Sequence, residues 1–376
     1  MRNVLKALIK PALMGMVALS LTVPALSQAA ESAAHKKTHH SARAASSKGK
    51  TAVASTRHHR TEKVSRYGKK RQQVVAHRGS RHHVREAVAV QQAPARPDFG
   101  PAEITQVADA SSPLLLQSRA ALVMDEETGT VLYGKNTTRT MPIASISKLM
   151  TSMVVLDAHL PMDEMITVTE DDVDHYKHTS SRLTVGTTLT RREMMLVALM
   201  ASENRAAHAL ARTYPGGTEA AVAAMNRKSR ALGMQNTTFL DPTGLHSENQ
   251  STPHDLVLMV QAAHQYPDIH NDTTTAEHSI VAAGGRTLQY HNTNALVKSD
   301  TWDIGVSKTG FINEAGKCLV MQARIKEKPV VIVLMDSWGS YTRIGDANRV
   351  KKWIESAVSF QAPTASAAPT AAKVGG

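Results

Sequence analysis

Ser145-Ile-Ser-Lys148 places a hydroxyl and an amine three residues apart at the start of an apolar stretch, Ser147-Lys-Leu-Met-Thr-Ser-Met-Val-Val155. On a helix, residues three apart share a face, so Ser145 and Lys148 would project side by side. A serine hydroxyl is a weak nucleophile until a base takes its proton. A lysine serves as that base only when burial or a neighbouring positive charge lowers its pKa. The apolar surroundings here supply burial. A helix N-terminus at the same point favours negative charge on a reacting oxygen. The chemistry on offer is nucleophilic acyl transfer, although a four-residue pattern of this kind also arises by chance.

Two further polar runs stand in apolar surroundings. Ser202-Glu-Asn204 interrupts the helical stretch around Leu199-Met-Ala201, where three polar residues would be costly if buried without partners. A second hydroxyl and an amide at that point suit relaying a proton and holding Lys148. Lys308-Thr309-Gly310 follows Ile304-Gly-Val306 and precedes Phe311. On a strand, Lys308 and Gly310 point one way and Thr309 the other. Lys308 offers positive charge to a substrate carboxylate, Thr309 offers a hydroxyl, and Gly310 lets a substrate backbone lie close to the strand edge. Alone, the last triplet is as well read as a surface turn. Together and in this order, the runs form the S-x-x-K, S-x-N and K-T-G set of penicillin-binding proteins and serine β-lactamases.

Other reactive residue types read as structure. His254-Asp255 invites a Ser-His-Asp triad, but Asp255 fits the first turn of a helix opening at Thr252-Pro253. Asp171-Asp-Val-Asp174 resembles half a calcium loop without the glycine and terminal glutamate such a loop needs, and a solvated acidic turn is expected. Met194, Met195 and Met200 are core filling on a helix. Cys318 is the single cysteine, so no intrachain disulfide is possible. Within Cys318-Leu-Val-Met321 it is expected to pack as a small buried hydrophobe.

The elements that must position these runs have their own signals. Residues 120–124 and 130–133 flank Asp125-Glu-Glu-Thr-Gly129, a hairpin with Gly in the turn. Residues 147–156 read as a buried helix. Residues 190–212 carry the strongest helical pattern, opened by a Thr190/Glu193 capping box and open to interruption near Ser202. Residues 219–232 form a helix stopped by Gly233, and Thr252-Pro253 opens one reaching about His264. Residues 304–308, 317–325 and 330–336 read as strands, and 343–356 as a closing helix. Strands at both ends with helices between predict an α+β fold. An antiparallel sheet is built from both ends of the chain and flanked by helices.

The whole chain has 376 residues, 42% hydrophobic and 4% aromatic, so its core must rest on aliphatic side chains and Met. The formal charge of +12 first suggests a nucleic-acid partner. Residues 31–98, however, carry 16 Lys and Arg against 4 Asp and Glu, whereas residues 99–376 carry 25 basic against 28 acidic. The basic segment has no aromatic interleaving and no nucleic-acid motif, so no nucleic acid is expected as partner. Arg2, Lys6 and Lys10 precede an apolar run from Pro11 to about Val23, and small residues follow to Ala30. This predicts a cleaved secretory signal peptide over 1–30, short for a spanning helix, and a periplasmic protein. Residues 31–110 lack periodicity and are expected to be a disordered basic linker. The charge of 31–98 could hold the protein near anionic surfaces. A catalytic domain over 111–360 and a disordered tail over 361–376 complete the expected organisation.

From about residue 117 to 356 the chain resembles the low-molecular-mass D-alanyl-D-alanine peptidases, a branch of the penicillin-binding proteins. The resemblance rests on Leu122-Val-Met-Asp-Glu-Glu-Thr-Gly129, Met141-Pro-Ile-Ala-Ser-Ile-Ser-Lys-Leu-Met-Thr151, Asp241-Pro-Thr-Gly-Leu245 and Val306-Ser-Lys-Thr-Gly-Phe311. Ser-Glu-Asn stands where the family's carboxypeptidases typically have Ser-Gly-Asn. The chain also ends soon after Arg343-Ile-Gly-Asp-Ala-Asn-Arg-Val-Lys-Lys-Trp353, without their added C-terminal β domain and amphipathic anchor. It is therefore most similar to the endopeptidase subgroup of penicillin-binding protein 7 type. The long basic segment departs from the family pattern.

The resemblance implies the penicillin-binding/β-lactamase-like transpeptidase fold, with a mainly helical subdomain beside the sheet. It implies that Ser145 attacks a D-Ala carbonyl to form an acyl-enzyme, with Lys148 as general base. Ser202 would pass the proton to the leaving amine, and Asn204 would contact Lys148 and the substrate amide. Lys308 and Thr309 would bind a carboxylate, with Gly310 beside them, and the N–H groups of Ser145 and Phe311 would form the oxyanion hole. The implied substrates are peptidoglycan peptide stems, with β-lactams as acylating inhibitors and no metal or organic cofactor. A carboxypeptidase acting on pentapeptide stems would share these parts. A class A β-lactamase would need an E-x-x-L-N pattern, and none occurs between Asn204 and Lys308. A non-enzymatic wall-binding protein would show decayed motifs, and all seven motif residues are intact.

Overall fold

The apolar strands predicted at the two ends of the domain meet in one sheet. A computed structural model describes residues 101–106 and 113–357, so the signal peptide, most of the linker and the 361–376 tail lie outside the described residues. β1 (Ile104–Gln106), β2 (Ala120–Asp125) and β3 (Val131–Lys135) come first. The short β4 (Met141–Pro142) leads through a 3-10 turn, Ala144–Ile146, into α1 (Ser147–Asp157). β5 (Met165–Thr167) and β6 (Thr188–Thr190) bracket a long loop. Then come α2 (Arg191–Met200), α3 (Asn204–Arg212) and α4 (Gly217–Ala231). β7 (Gln250–Ser251), α5 (Pro253–His264) and α6 (Pro267–Thr274) follow. The hairpin β8 (Glu277–Val281) and β9 (Thr287–His291) precedes three long strands. These are β10 (Asp303–Ile312), β11 (Gly316–Ile325) and β12 (Lys328–Ser337), and α7 (Thr342–Ser356) closes the described chain.

The main sheet runs β1-β3-β2-β12-β11-β10 and is antiparallel throughout. β12 shows why the last strands read as unbroken apolar runs. Val331, Val333 and Met335 join the helical core on one face, while Ile332 and Leu334 pack with Ala347, Val350 and Trp353 of α7 on the other. A strand covered on both faces needs no polar alternation. The fold is thus the expected α+β arrangement, with β10 at the edge of the sheet, against the 3-10 turn that holds Ser145 and within reach of Ser202.

The predicted caps form. Thr190 Oγ1 accepts from the Glu193 N–H at 3.1 Å, and the Glu193 carboxylate accepts from the Thr190 N–H at 3.0 Å. Such a cap typically contributes about 1 kcal/mol. The long pattern after Thr190 breaks into α2 and α3 at Ser202, whose φ is +62°. Gly233, at φ +82°, stops α4, and Thr252 caps α5 through the Asp255 N–H.

Three features differ from the sequence reading. β1 falls within the stretch read as linker. Its order comes from pairing with β3 and from Asn136, whose side chain accepts the Glu103 N–H, so no apolar pattern announces it. α6 and the β8–β9 hairpin were not anticipated, because α6 is polar along most of its length and the hairpin buries only Ile280, Leu288 and Tyr290. The acidic turn at 171–174 is solvated only in part, since Asp171 is exposed but Asp172 is not. Asp172 is buried, paired with Arg212 at 2.9 Å and with His208 Nδ1 at 2.8 Å. Both partners come from α3, and local sequence holds no trace of that meeting.

Candidate active site

Ser145 lies in the 3-10 turn feeding α1, and Lys148 occupies the first turn of α1. This spacing brings Lys148 Nζ to 2.9 Å from Ser145 Oγ. Nζ also donates to Asn204 Oδ1 at 2.8 Å and to the Thr243 carbonyl at 2.7 Å. Lys148 is fully buried, and that burial lowers its pKa to about 7, although Asp241 and Glu203 pull it upward. An amine that is partly neutral near pH 7 can accept the hydroxyl proton.

β10 brings the third run to the same place. Lys308 Nζ donates to Ser202 Oγ at 2.9 Å and to the Thr309 carbonyl at 2.9 Å. Burial, then the like charges of Lys148 and Arg343, hold the Lys308 pKa well below the usual lysine range. The left-handed backbone at Ser202 is costly for a residue other than glycine, and here it accompanies a hydroxyl engaged by Lys308. Lys308 is buried behind Ser202, and Arg343 and Lys177 line the cleft that Thr309 also lines. Thr309 Oγ1 donates to Thr293 Oγ1 at 2.6 Å.

Gly310 stands close to a neighbouring stretch of backbone. A Cβ at 310 would lie 2.8 Å from the Ile143 carbonyl oxygen and 3.2 Å from the Ser145 nitrogen. The missing side chain lets β10 approach the backbone of the nucleophile turn itself. Phe311, half-exposed, follows at the cleft wall.

Sequence reasoning gave no role to the loop that braces this turn. Gly244 has φ +83°, and a Cβ there would fall 1.9 Å from the Ala144 carbonyl oxygen. The Asp241 carboxylate accepts the N–H groups of Thr243, Gly244 and His246. Asn249 Nδ2 donates to Ser147 Oγ at 2.9 Å and to the Asp241 carbonyl at 2.8 Å. The signal was present as the turn chemistry of Asp241-Pro-Thr-Gly244. Arg343 was read only as a helix start. Its guanidinium donates to the Gly310 carbonyl at 3.1 Å, a contact that only the fold creates.

Together these residues enclose a cleft of about 440 Å³ whose walls include Ser145, Ser202, Asn204, Thr309, Phe311 and Arg343. Lys148 and Lys308 lie behind its floor. A hydroxyl with a buried amine at hydrogen-bond distance, beside a second hydroxyl held by another amine, is equipped for acyl transfer. The other candidates sit elsewhere. Asp255 accepts the Asn236 N–H and the Thr237 hydroxyl, and Cys318 is buried with Sγ directed to the Ala315 carbonyl.

Known proteins share this arrangement of sequence and fold. A family model described as D-alanyl-D-alanine carboxypeptidase, Peptidase S11, matches residues 106–339. The chain is 46% identical over 254 residues to a D-alanyl-D-alanine endopeptidase of Pseudomonas aeruginosa, covering 67% of this chain and 82% of that one. It is 44% identical over 270 residues to a D-alanyl-D-alanine endopeptidase of Escherichia coli, covering 71% of this chain and 87% of that one. The crystal structure of the Streptomyces K15 DD-transpeptidase is similar with a TM-score of 0.59 at 27% identity, covering 64% of this chain and 97% of that one.

Proposed function

The chain belongs to the D-alanyl-D-alanine carboxypeptidase family of peptidases, and we propose that it is a serine D-alanyl-D-alanine endopeptidase that cuts the peptide cross-links of peptidoglycan. The observation that carries this reading is the buried Lys148 amine, hydrogen-bonded to both Ser145 Oγ and Asn204 Oδ1.

Ser145 Oγ attacks the D-Ala carbonyl carbon while Lys148 Nζ takes its proton. The N–H groups of Ser145 and Phe311 receive the developing oxyanion. One such donor contributes about 3 kcal/mol to the transition state. The close approach of Gly310 to the Ser145 nitrogen supports this pairing. The carbonyl reforms as the C–N bond breaks, and Ser202, held by Lys308, relays the proton that Lys148 took from Ser145 to the departing amine. Asn204 holds Lys148 and meets the substrate amide. Lys308 and Thr309 bind a carboxylate on the leaving side, and Arg343, which lines the same cleft, adds positive charge there. Water then hydrolyses the Ser145 ester. β-Lactams offer the same kind of amide carbonyl and acylate the same oxygen.

The endopeptidase names of the two relatives support a cross-link as substrate. The carboxypeptidase description of the family model supports a second reading, release of D-Ala from pentapeptide stems, in which only the leaving amine differs. Residues 1–30 direct the protein to the periplasm, and the basic charge of 31–98 keeps it near anionic surfaces. The catalytic domain occupies 111–360, preceded by an edge strand at 104–106. Labelling with fluorescent penicillin, followed by mass mapping of the adduct, tests the mechanism. A single adduct on Ser145 is expected, lost in Ser145→Ala. An adduct elsewhere, or no adduct on the folded wild type, overturns it.

A further inference from the structure

Glu203 stands between Ser202 and Asn204, yet no step above uses it. It is only 8% exposed, and an acidic side chain is rarely buried without partners. Its Oε2 accepts a hydrogen bond from Ser181 Oγ at 2.6 Å. The hydroxyl of the buried Tyr290, on β9, lies near the same carboxylate without a well-formed hydrogen bond. Ser181 belongs to the strap between β5 and β6 whose Lys177 and Thr179 line the cleft.

The two residues after Glu203 grip the same strap. Asn204 Nδ2 donates to Thr179 Oγ1 at 3.2 Å, and Arg205 Nη1 donates to the Leu183 carbonyl at 2.9 Å. Within the strap, Asp174 accepts both the N–H and the hydroxyl of Thr179. Beyond Thr179, Lys177 pairs with Glu314 at 2.6 Å, which joins the strap to the turn after β10.

We propose that Glu203 is a positioning residue for acylation. Its buried carboxylate pins the strap through Ser181, the strap braces Asn204 through Thr179, and Asn204 fixes Lys148 against Ser145. The inference rests on the reading of Lys148 as the base for Ser145. It adds a residue that acts through others and touches no reacting atom.

The same carboxylate also acts at longer range. Lys148 faces Asp241 and Glu203, which favour its charged form, and Lys308, which opposes it. Glu203 faces Ser181 of the strap and Tyr290 of β9, with Arg182 and Arg286 near that tyrosine. Arg182 lies 4.2 Å from the Tyr290 ring centre. Taking the negative charge from 203 leaves Lys148 less easily protonated.

The test is the pH dependence of the acylation rate with fluorescent penicillin in full-length protein, with thermal midpoints recorded for each variant. Glu203→Gln keeps an oxygen for Ser181 but loses the charge. Its acidic limb is expected to move to lower pH. Glu203→Asp keeps the charge and returns the limb to the wild-type position. Ser181→Ala keeps the charge and loses the tie, so its plateau rate is expected to fall several-fold with the limb in place. An unmoved limb in Glu203→Gln, or an unchanged plateau in Ser181→Ala, overturns the proposal. Labelling of Ser145→Ala would instead defeat the assignment of the nucleophile, so the two failures are distinct.

Discussion

At the scale of single residues, the proposed reaction depends on Lys148, whose burial would make it a usable base. Desolvation lowers the Lys148 pKa to about 7, against Asp241 and Glu203. Below that value the ammonium has no lone pair for the Ser145 proton, and above it the amine does. Acylation by penicillin is therefore expected to rise with pH through about 7 and then level, as followed by gel fluorescence. Lys148→Arg keeps a cation that cannot be deprotonated in a protein. It is expected to lower the acylation rate by about 10²–10⁴-fold while thermal stability changes much less. The candidacy of Ser145, Lys148, Ser202 and Asn204, which meet in the structure, was legible because each run is local and its residue types suit acyl transfer. The working geometry of Lys308, Gly310 and Arg343 was not. It depends on which element each meets, and those meetings join residues distant in sequence, 106 positions apart for Lys308 and Ser202 and 33 for Arg343 and Gly310.

At the scale of elements, the nucleophile turn is held from two sides by glycines that no other residue can replace without movement. Gly310 admits β10, and Gly244 admits the Asp241 loop. Gly244→Ala meets the Ala144 carbonyl and also forces a left-handed backbone, which alone costs about 1–3 kcal/mol. It is expected to lower the thermal midpoint and to slow penicillin acylation together, in differential scanning fluorimetry and labelling time courses. The elements legible in sequence were those with strong periodicity or caps. The Thr190/Glu193 box, the Gly233 stop and the apolar run at 330–335 all correspond to structure. β1, α6 and the β8–β9 hairpin bury few side chains and owe their form to pairing with neighbours. Ser202 lies between these cases, since its polar neighbours marked a break in the helix but not the left-handed turn that makes it.

At the scale of the whole molecule, charge and chemistry are separated along the chain. Residues 31–98 hold 16 of the 44 Lys and Arg, and residues 99–376 are slightly acidic. A protein lacking 31–98 is expected to cleave soluble muropeptides at the wild-type rate and to bind isolated cell walls less well. The difference should shrink as salt screens the charge, as measured by co-sedimentation at increasing ionic strength. Equal wall binding with and without the segment would remove it from the functional description. The fold class was legible because strands at both chain ends flanked a helical middle. The depth of the cleft and the strap across it were not, because they arise from side chains meeting between elements.

The most direct measurement of the central claim is digestion of purified cross-linked muropeptide dimers, with products separated by liquid chromatography and identified by mass. Wild-type protein is expected to convert dimers to monomers, and Ser145→Ala to leave them intact. Conversion that persists in Ser145→Ala would contradict the serine mechanism. Release of D-Ala from pentapeptides with the dimers untouched would contradict the cross-link as substrate.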